Sequence, residues 1–258
     1  MNLGLAGKNA LITGGSKGLG RHAALSLARE GCNVAICARG QDALHETTAE
    51  LQRLGVRATG ISADVTNSND IDRLYQQAVQ ALGPVDVLVN NVGGGARGRD
   101  FDSADDAAWE YTMNLNLLAA VRLTRLAIPS MKERRWGRIV SIASIWGRES
   151  GGGLTYMSSK AALIAFSKHL AVAVAGTGVT VNTVAPGSIA FPGGNWQRFQ
   201  EVNPPEMVRD FIKNNLPMGK FGWPEPVGAL VAFLASAQAD LITGACINVD
   251  GGQSKSSI

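Results

Sequence analysis

Tyr156 and Lys160 stand four positions apart in the stretch YMSSK. One turn of helix separates them, so a phenol and an ammonium group can share a face and converge on one small volume. A phenol beside a cation is an acid/base pair: the hydroxyl can give or take a proton, and the cation favours its ionised form. The same spacing would also suit two side chains that only decorate a helix. What decides between these readings is the scaffold that aims the pair.

That scaffold is written in alternating patterns. KNALITGG is a short apolar run ending at glycines, after which Leu19, Ala23, Ala24, Leu27 and Ala28 recur at helical spacing. NVAICAR, VRATGISAD and VDVLVNN read as the next three strands, with helical patterns from about 41 to 54 and from about 67 to 82 between them. Two longer helices, about 105–133 and 154–175, bracket the strand GRIVSIAS, and GVTVNTVAPG and GACINVDGG supply the last two strands. Near-continuous apolar strands separated by helices are the pattern of a parallel sheet covered on both faces. The expected class is therefore α/β, in one compact domain over residues 1–258, whose 45% hydrophobic content is ample for a core.

GGGARGRDFDSADD and the stretch 188–226 read as loops or short helices above the sheet. The second mixes Pro192, Pro204, Pro205, Pro217, Pro224 and Pro226 with Phe191, Trp196, Phe199, Phe211, Phe221 and Trp223. A mobile wall or lid over a small pocket is expected there, with a rigid surface insertion as the alternative.

Composition excludes several functions. Lys and Arg total 24 against 21 Asp and Glu, and a net charge of +3 is too small a surplus for a nucleic-acid footprint. No run reaches the roughly 18 uninterrupted apolar residues of a membrane span, and MNLGLAGKNALITGG lacks the basic and apolar regions of a signal peptide. Cys32, Cys37 and Cys246 are scattered in apolar surroundings, which suits reduced thiols in a cytoplasmic protein. His22, His45 and His169 are isolated from one another, so no metal site is expected.

TGGSKGLG, Thr13 to Gly20, lies between the first strand and the first helix. Gly14 suits an unusual backbone turn, Gly18 lets a phosphate approach the main chain, and Gly20 permits close helix packing, while free amides at the helix start face a pyrophosphate. The run lacks the glycine-lysine-serine/threonine ending of a nucleoside-triphosphate loop. Lys17 precedes Gly18 instead, and Arg39 closes the second strand where an acidic residue would pair with ribose hydroxyls. This charge logic favours NADP(H) over NAD(H). Asp64, with Val65 beside it, ends the third strand, where it could meet an adenine ring or simply cap the following turn.

Taken jointly, TGGSKGLG, NNVGG, NLLAA, the serine of SIAS, YMSSK and APG, in this order, resemble the classical short-chain dehydrogenase/reductase family, and in particular its 3-oxoacyl reductase-like members. The resemblance spans almost the whole chain. It implies a single-domain, Rossmann-like, doubly wound parallel sheet with helices on both faces, and hydride transfer between a nicotinamide cofactor and a ketone or secondary alcohol. Carried over position by position, it implies a catalytic set of Asn116, Ser144, Tyr156 and Lys160, with Asn114 the competing asparagine in MNLNLL. Tyr156 would donate the proton, Ser144 would polarise the carbonyl, and Lys160 would hold the nicotinamide ribose and favour tyrosinate. Cofactor contacts would come from Thr13, Gly14, Ser16, Lys17, Gly18, Leu19, Gly20, Arg39, Asp64, Val65, Asn91, Gly93, Tyr156, Lys160, Pro186, Gly187, Ser188 and Ile189. The pattern departs from the family at Phe191, where a threonine often contacts the carboxamide, and Ser188 or the backbone is the expected substitute. The resemblance implies a homotetramer, with a homodimer as the alternative. The competing functions are an NAD-dependent alcohol dehydrogenase and a noncatalytic cofactor-binding regulator.

Overall fold

A computed structural model describes residues 2–95 and 100–257 of the chain. Part of the loop expected from the run GGGARGRD, residues 96–99, lies outside the described residues. Seven strands form one sheet: β1 Asn9–Thr13, β2 Asn33–Ala38, β3 Ala58–Ser62, β4 Val87–Asn90, β5 Gly137–Ile142, β6 Val179–Pro186 and β7 Cys246–Val249. Every pairing is parallel, in the order β3-β2-β1-β4-β5-β6-β7. The chain runs outward from β1 through β2 to β3, then returns to the other side of β1 with β4. That reversal makes a crevice at the carboxyl ends of β1 and β4, where doubly wound sheets bind ligands.

Alternation along the strands explains why both faces are covered. In β1, Ala10 and Ile12 join one core and Leu11 the other; in β2, Val34 and Ile36 face one way and Ala35 and Cys37 the other. The first core holds α1 (Gly18–Arg29), α2 (Gln41–Arg53) and α9 (Pro224–Ala235) against the sheet. The second holds α3 (Ser68–Leu82), α5 (Ala119–Glu133) and α6 (Leu154–Val174). Asn67 ends the approach to α3 by accepting bonds from the amides of Asn69 and Asp70, which would otherwise have no helical partner.

Two features depart from the sequence expectation. The long helix expected at about 105–133 is α4 (Asp106–Met113), a π-helical turn at Asn114–Leu118, and α5, joined without a break. The stretch 188–226 holds α7 (Asn195–Val202) and α8 (Pro205–Asn215), but Pro224 to Pro226 are the first turn of α9 rather than loop. Proline lacks the amide that a first helical turn leaves unbonded anyway, so the same residues that break a chain can open a helix. Gly228 then lets α9 reach α1, for a Cβ there would lie 2.5 Å from the His22 carbonyl oxygen.

Candidate active site

A cavity of about 990 Å³ runs along the carboxyl edge of the sheet. One rim carries Ser16, Lys17, Arg39, Asp42, Asp64 and Val65; the far end carries Ser144, Trp146, Tyr156, Trp196 and Phe199. All of its strand-derived walls come from residues at or just past strand carboxyl ends, because only there do the backbone loops open away from the sheet.

The glycine turn is built as its composition demands. Gly14 has φ +64°, in the left-handed region, and a Cβ on Gly20 would lie 2.3 Å from the Gly14 oxygen. Thr13 faces the other way: its Oγ1 accepts from the backbone amides of Asn91 (2.9 Å) and Val92 (3.1 Å), and the side-chain Nδ2 of Asn91 donates to the Thr13 carbonyl oxygen at 2.8 Å. This staple ties β1 to β4 across the crevice. Gly14, Ser16, Lys17, Leu19, Asn91 and Gly93 line the cavity, whereas Thr13, Gly18 and Gly20 support it from behind. Asp64 caps the following turn, its Oδ1 accepting from the Thr66 amide (2.9 Å) and hydroxyl (2.8 Å), and the residue also lines the rim.

At the other end, α6 aims Tyr156 and Lys160 at the end of β5. Lys160 is 2% exposed, and its Nζ donates to the Ile142 oxygen at 2.7 Å and lies 5.8 Å from the Tyr156 ring centroid. Burial pulls its pKa down to about 8, because a cation is poorly solvated there. The Tyr156 phenol is raised by burial, with a hydrogen bond to Ser144 opposing the rise. Loss of water around the ionised form outweighs the hydrogen bond that favours it. Ser144 also accepts from the Trp146 amide at 3.2 Å, so it caps the short 3₁₀ turn Ile145–Gly147 and bonds Tyr156 as well.

The π turn separates the two asparagines. Asn116, 1% exposed, accepts from the Gly94 amide at 2.9 Å and donates to the Gly94 oxygen at 2.9 Å and to Ser159 Oγ at 2.7 Å. Asn114 donates to the Thr66 oxygen at 2.8 Å and accepts from Arg122 at 2.6 Å, away from Tyr156 and Lys160. One extra residue in the turn is what directs Asn116 inward, and such bulges recur at functional sites.

Past β6, Pro186, Gly187 and Ile189 line the cavity, but Ser188 does not. Its amide donates to Gln253 Oε1 at 2.7 Å and its hydroxyl accepts from Gln253 Nε2 at 2.9 Å, so it is held by the carboxyl-terminal segment. The Phe191 ring lies against the glycine turn, where a Cβ on Gly18 would come within 2.5 Å of it. Trp146, Tyr111, Thr155 and Cys37 also line the cavity, although the sequence assigned none of them to a site. Only Trp146 carried a signal, standing two residues past Ser144. Cys37 has a thiol pushed up to about 12 by burial, which leaves it chemically quiet. Among the described residues no cluster of metal-ligating side chains occurs.

The basic run from Lys132 to Arg135 lies at the opposite edge of the sheet. Arg134 donates there to the Val85 oxygen at 2.9 Å and pairs with Asp86 at 3.2 Å, just before β4 begins.

Residues 8–201 match the family model for short chain dehydrogenase. A putative ketoacyl reductase of Streptomyces coelicolor is 36% identical over 251 residues, 94% of this chain and 95% of that protein. Among solved structures, L-sorbose reductase from Gluconobacter frateurii, complexed with NADPH and L-sorbose, superposes with a TM-score of 0.92 at 32% identity, covering 99% of this chain and 100% of the other. A 7α-hydroxysteroid dehydrogenase complexed with NADH and 7-oxo glycochenodeoxycholic acid gives 0.89 at 30% identity, covering 99% and 97%.

Proposed function

The chain belongs to the short chain dehydrogenase family, and on that footing we propose that it interconverts a ketone, or a 3-oxoacyl-type carbonyl, and a secondary alcohol with NADP(H). One observation carries the reading. Ser144, Tyr156 and Lys160 meet at one end of a cavity whose other end presents Lys17 and Arg39.

The cavity fits a dinucleotide on this chain's own atoms. Gly14 takes a backbone angle that side chains rarely adopt, and Gly93 leaves room that a Cβ would close against Lys160. Arg39 and Lys17 supply positive charge at the rim where a 2′-phosphate would be held, favouring NADPH. Asp42 lines the same rim and is the group that would favour NADH instead.

When bound, the nicotinamide supplies hydride to carbon. Tyr156, kept protonated by burial, holds the proton that the carbonyl oxygen needs. Ser144 Oγ, fixed by the Trp146 amide, orients that oxygen and stabilises its developing charge. Lys160, anchored on the Ile142 oxygen, places a cation beside the phenolate that is left after transfer. Asn116 clamps the Gly94 backbone and so fixes the wall opposite Lys160.

The segment 188–226 is read as a lid over this end. Its base is pinned by Ala190 to the Gly222 oxygen at 2.9 Å and Gly222 to the Ser188 oxygen at 3.0 Å, while α7 and α8 hold no fully buried residue. A homotetramer, with a homodimer the smaller alternative, is carried over from the family, and the free thiols of Cys32, Cys37 and Cys246 support a cytoplasmic setting. No helix among the described residues is long and apolar enough to cross a membrane.

The test is oxidation of NADPH and of NADH by the purified protein against oxoacyl esters, cyclic ketones, aryl ketones and ketoses. Turnover with NADPH preferred is expected. Binding of both cofactors with no turnover on any carbonyl would move the noncatalytic alternative forward.

A further inference from the structure

Resting on the reductase reading of this cavity, we propose that its substrate is an aromatic ketone whose ring packs against the paired indoles of Trp146 and Trp196. Both indoles line the cavity at the Ser144 and Tyr156 end, with centroids 6.0 Å apart and planes 49° to each other. Neither is free to withdraw. Behind Trp146, a Cβ on Gly151 would lie 2.2 Å from its Nε1 and one on Gly152 would lie 2.9 Å from its Cε3, so a glycine corner wraps the ring. Behind Trp196 stand Phe211 at 4.9 Å and Phe221 at 5.5 Å, themselves parallel to within 5°.

Phe211 and Phe221 do not line the cavity, and they account for how α7 and α8 are held to the body. Trp146 and Trp196 do line it, so each presents part of its indole to a ligand as well as to the cluster. Aliphatic side chains would have closed the same volume. Indoles add the attraction of one π face for another, which is worth a modest but measurable preference beyond buried area. Charge is arranged to match. Among the described residues, the charged groups lining the cavity are Lys17, Arg39, Asp42 and Asp64 at the far rim, and Lys160 beneath Tyr156. The aromatic end thus offers rings and hydroxyls rather than a described counter-charge for an anionic substrate.

The experiment compares 2-tetralone with 2-decalone, which share a skeleton and an unconjugated carbonyl and differ in one aromatic ring. For the wild type, kcat/KM with NADPH is expected to favour 2-tetralone by about three- to tenfold. Trp196→Leu should bring the ratio of the two kcat/KM values to about one, whatever the loss common to both ketones, and Trp146→Leu should do so in part. Equal values for the two ketones in the wild type, or equal losses on both in the variants, would overturn the proposal. Calorimetric binding of 2-tetralol and 2-decalol to the protein with NADP⁺ reads the same preference without turnover. A ring preference in binding with no ketone reduced would uphold the aromatic site and defeat the reductase reading. Reduction of both ketones with no preference would do the reverse.

Discussion

Gly93 stands so close to Lys160 that a Cβ on it would lie 2.6 Å from Nζ and 3.2 Å from Asn116 Oδ1. The glycine therefore sets where the ammonium rests, although it bears no chemistry itself. Gly93→Ala should displace Nζ and lower kcat/KM by roughly a hundredfold, the scale of a misplaced reacting group. Steady-state kinetics with thermal unfolding as a fold control would check this. Undiminished turnover would show that the lysine tolerates displacement.

The two asparagines of the π turn should separate cleanly. Asn116→Ala removes three hydrogen bonds and leaves Gly94 unclamped, so both turnover and stability should fall, the latter by about 1–3 kcal/mol. Asn114→Ala breaks contacts to Thr66 and Arg122 only and should leave kcat within about threefold, as expected where no reacting group is touched. Parallel urea melts and kinetics on the two variants decide it.

At the opposite rim, Arg39→Ala should raise the Kd for NADPH about 10- to 100-fold and leave that for NADH nearly unchanged, because only NADPH carries the phosphate that a guanidinium would bind. Equal weakening for both cofactors would assign Arg39 a general role in the rim.

Lys160 makes stability depend on pH with a definite sign. Its folded pKa of about 8 lies below the ordinary 10.5, so the unfolded chain binds more protons between these values and stability rises with pH across that window. The gain is complete above 10.5 and is lost as pH falls through 8. Measured against Lys160→Met, which cannot titrate, the wild type should gain up to about 3 kcal/mol between those limits. A pH-independent difference would mean that the ammonium is better solvated than its burial indicates.

Much of this could be read from residue order because the signals are local. The strand at Asn9–Thr13, the left-handed Gly14 and the spacing of Tyr156 and Lys160 on α6 each follow from a few adjacent residues. Contacts that close across the fold were not legible. Asn116 reaches Gly94 through a π turn that no spacing in NLNLL announces, and Ser188 turns to Gln253, 65 residues away. The wall residue Trp146 is positioned by Gly151 and Gly152, whose role appears only once the corner has closed on the ring. Helix α9 was hidden for a different reason: the residues past its first turn, 227–235, are apolar on every side, so they lack the amphipathic period, and the prolines at its start read as loop.

The central claim is that this chain moves hydride from NADPH to a ketone while Tyr156 delivers the proton. The most direct measurement is incubation of the purified protein with NADPH deuterated at the transferable position of the nicotinamide C4 and a ketone that it turns over, followed by mass spectrometry and NMR of the alcohol. One deuterium at the carbinol carbon is predicted, with formation slowed about 10²- to 10⁴-fold in Tyr156→Phe at unchanged cofactor affinity. Deuterium absent from that carbon, or a Tyr156→Phe variant as fast as the wild type, would contradict the account.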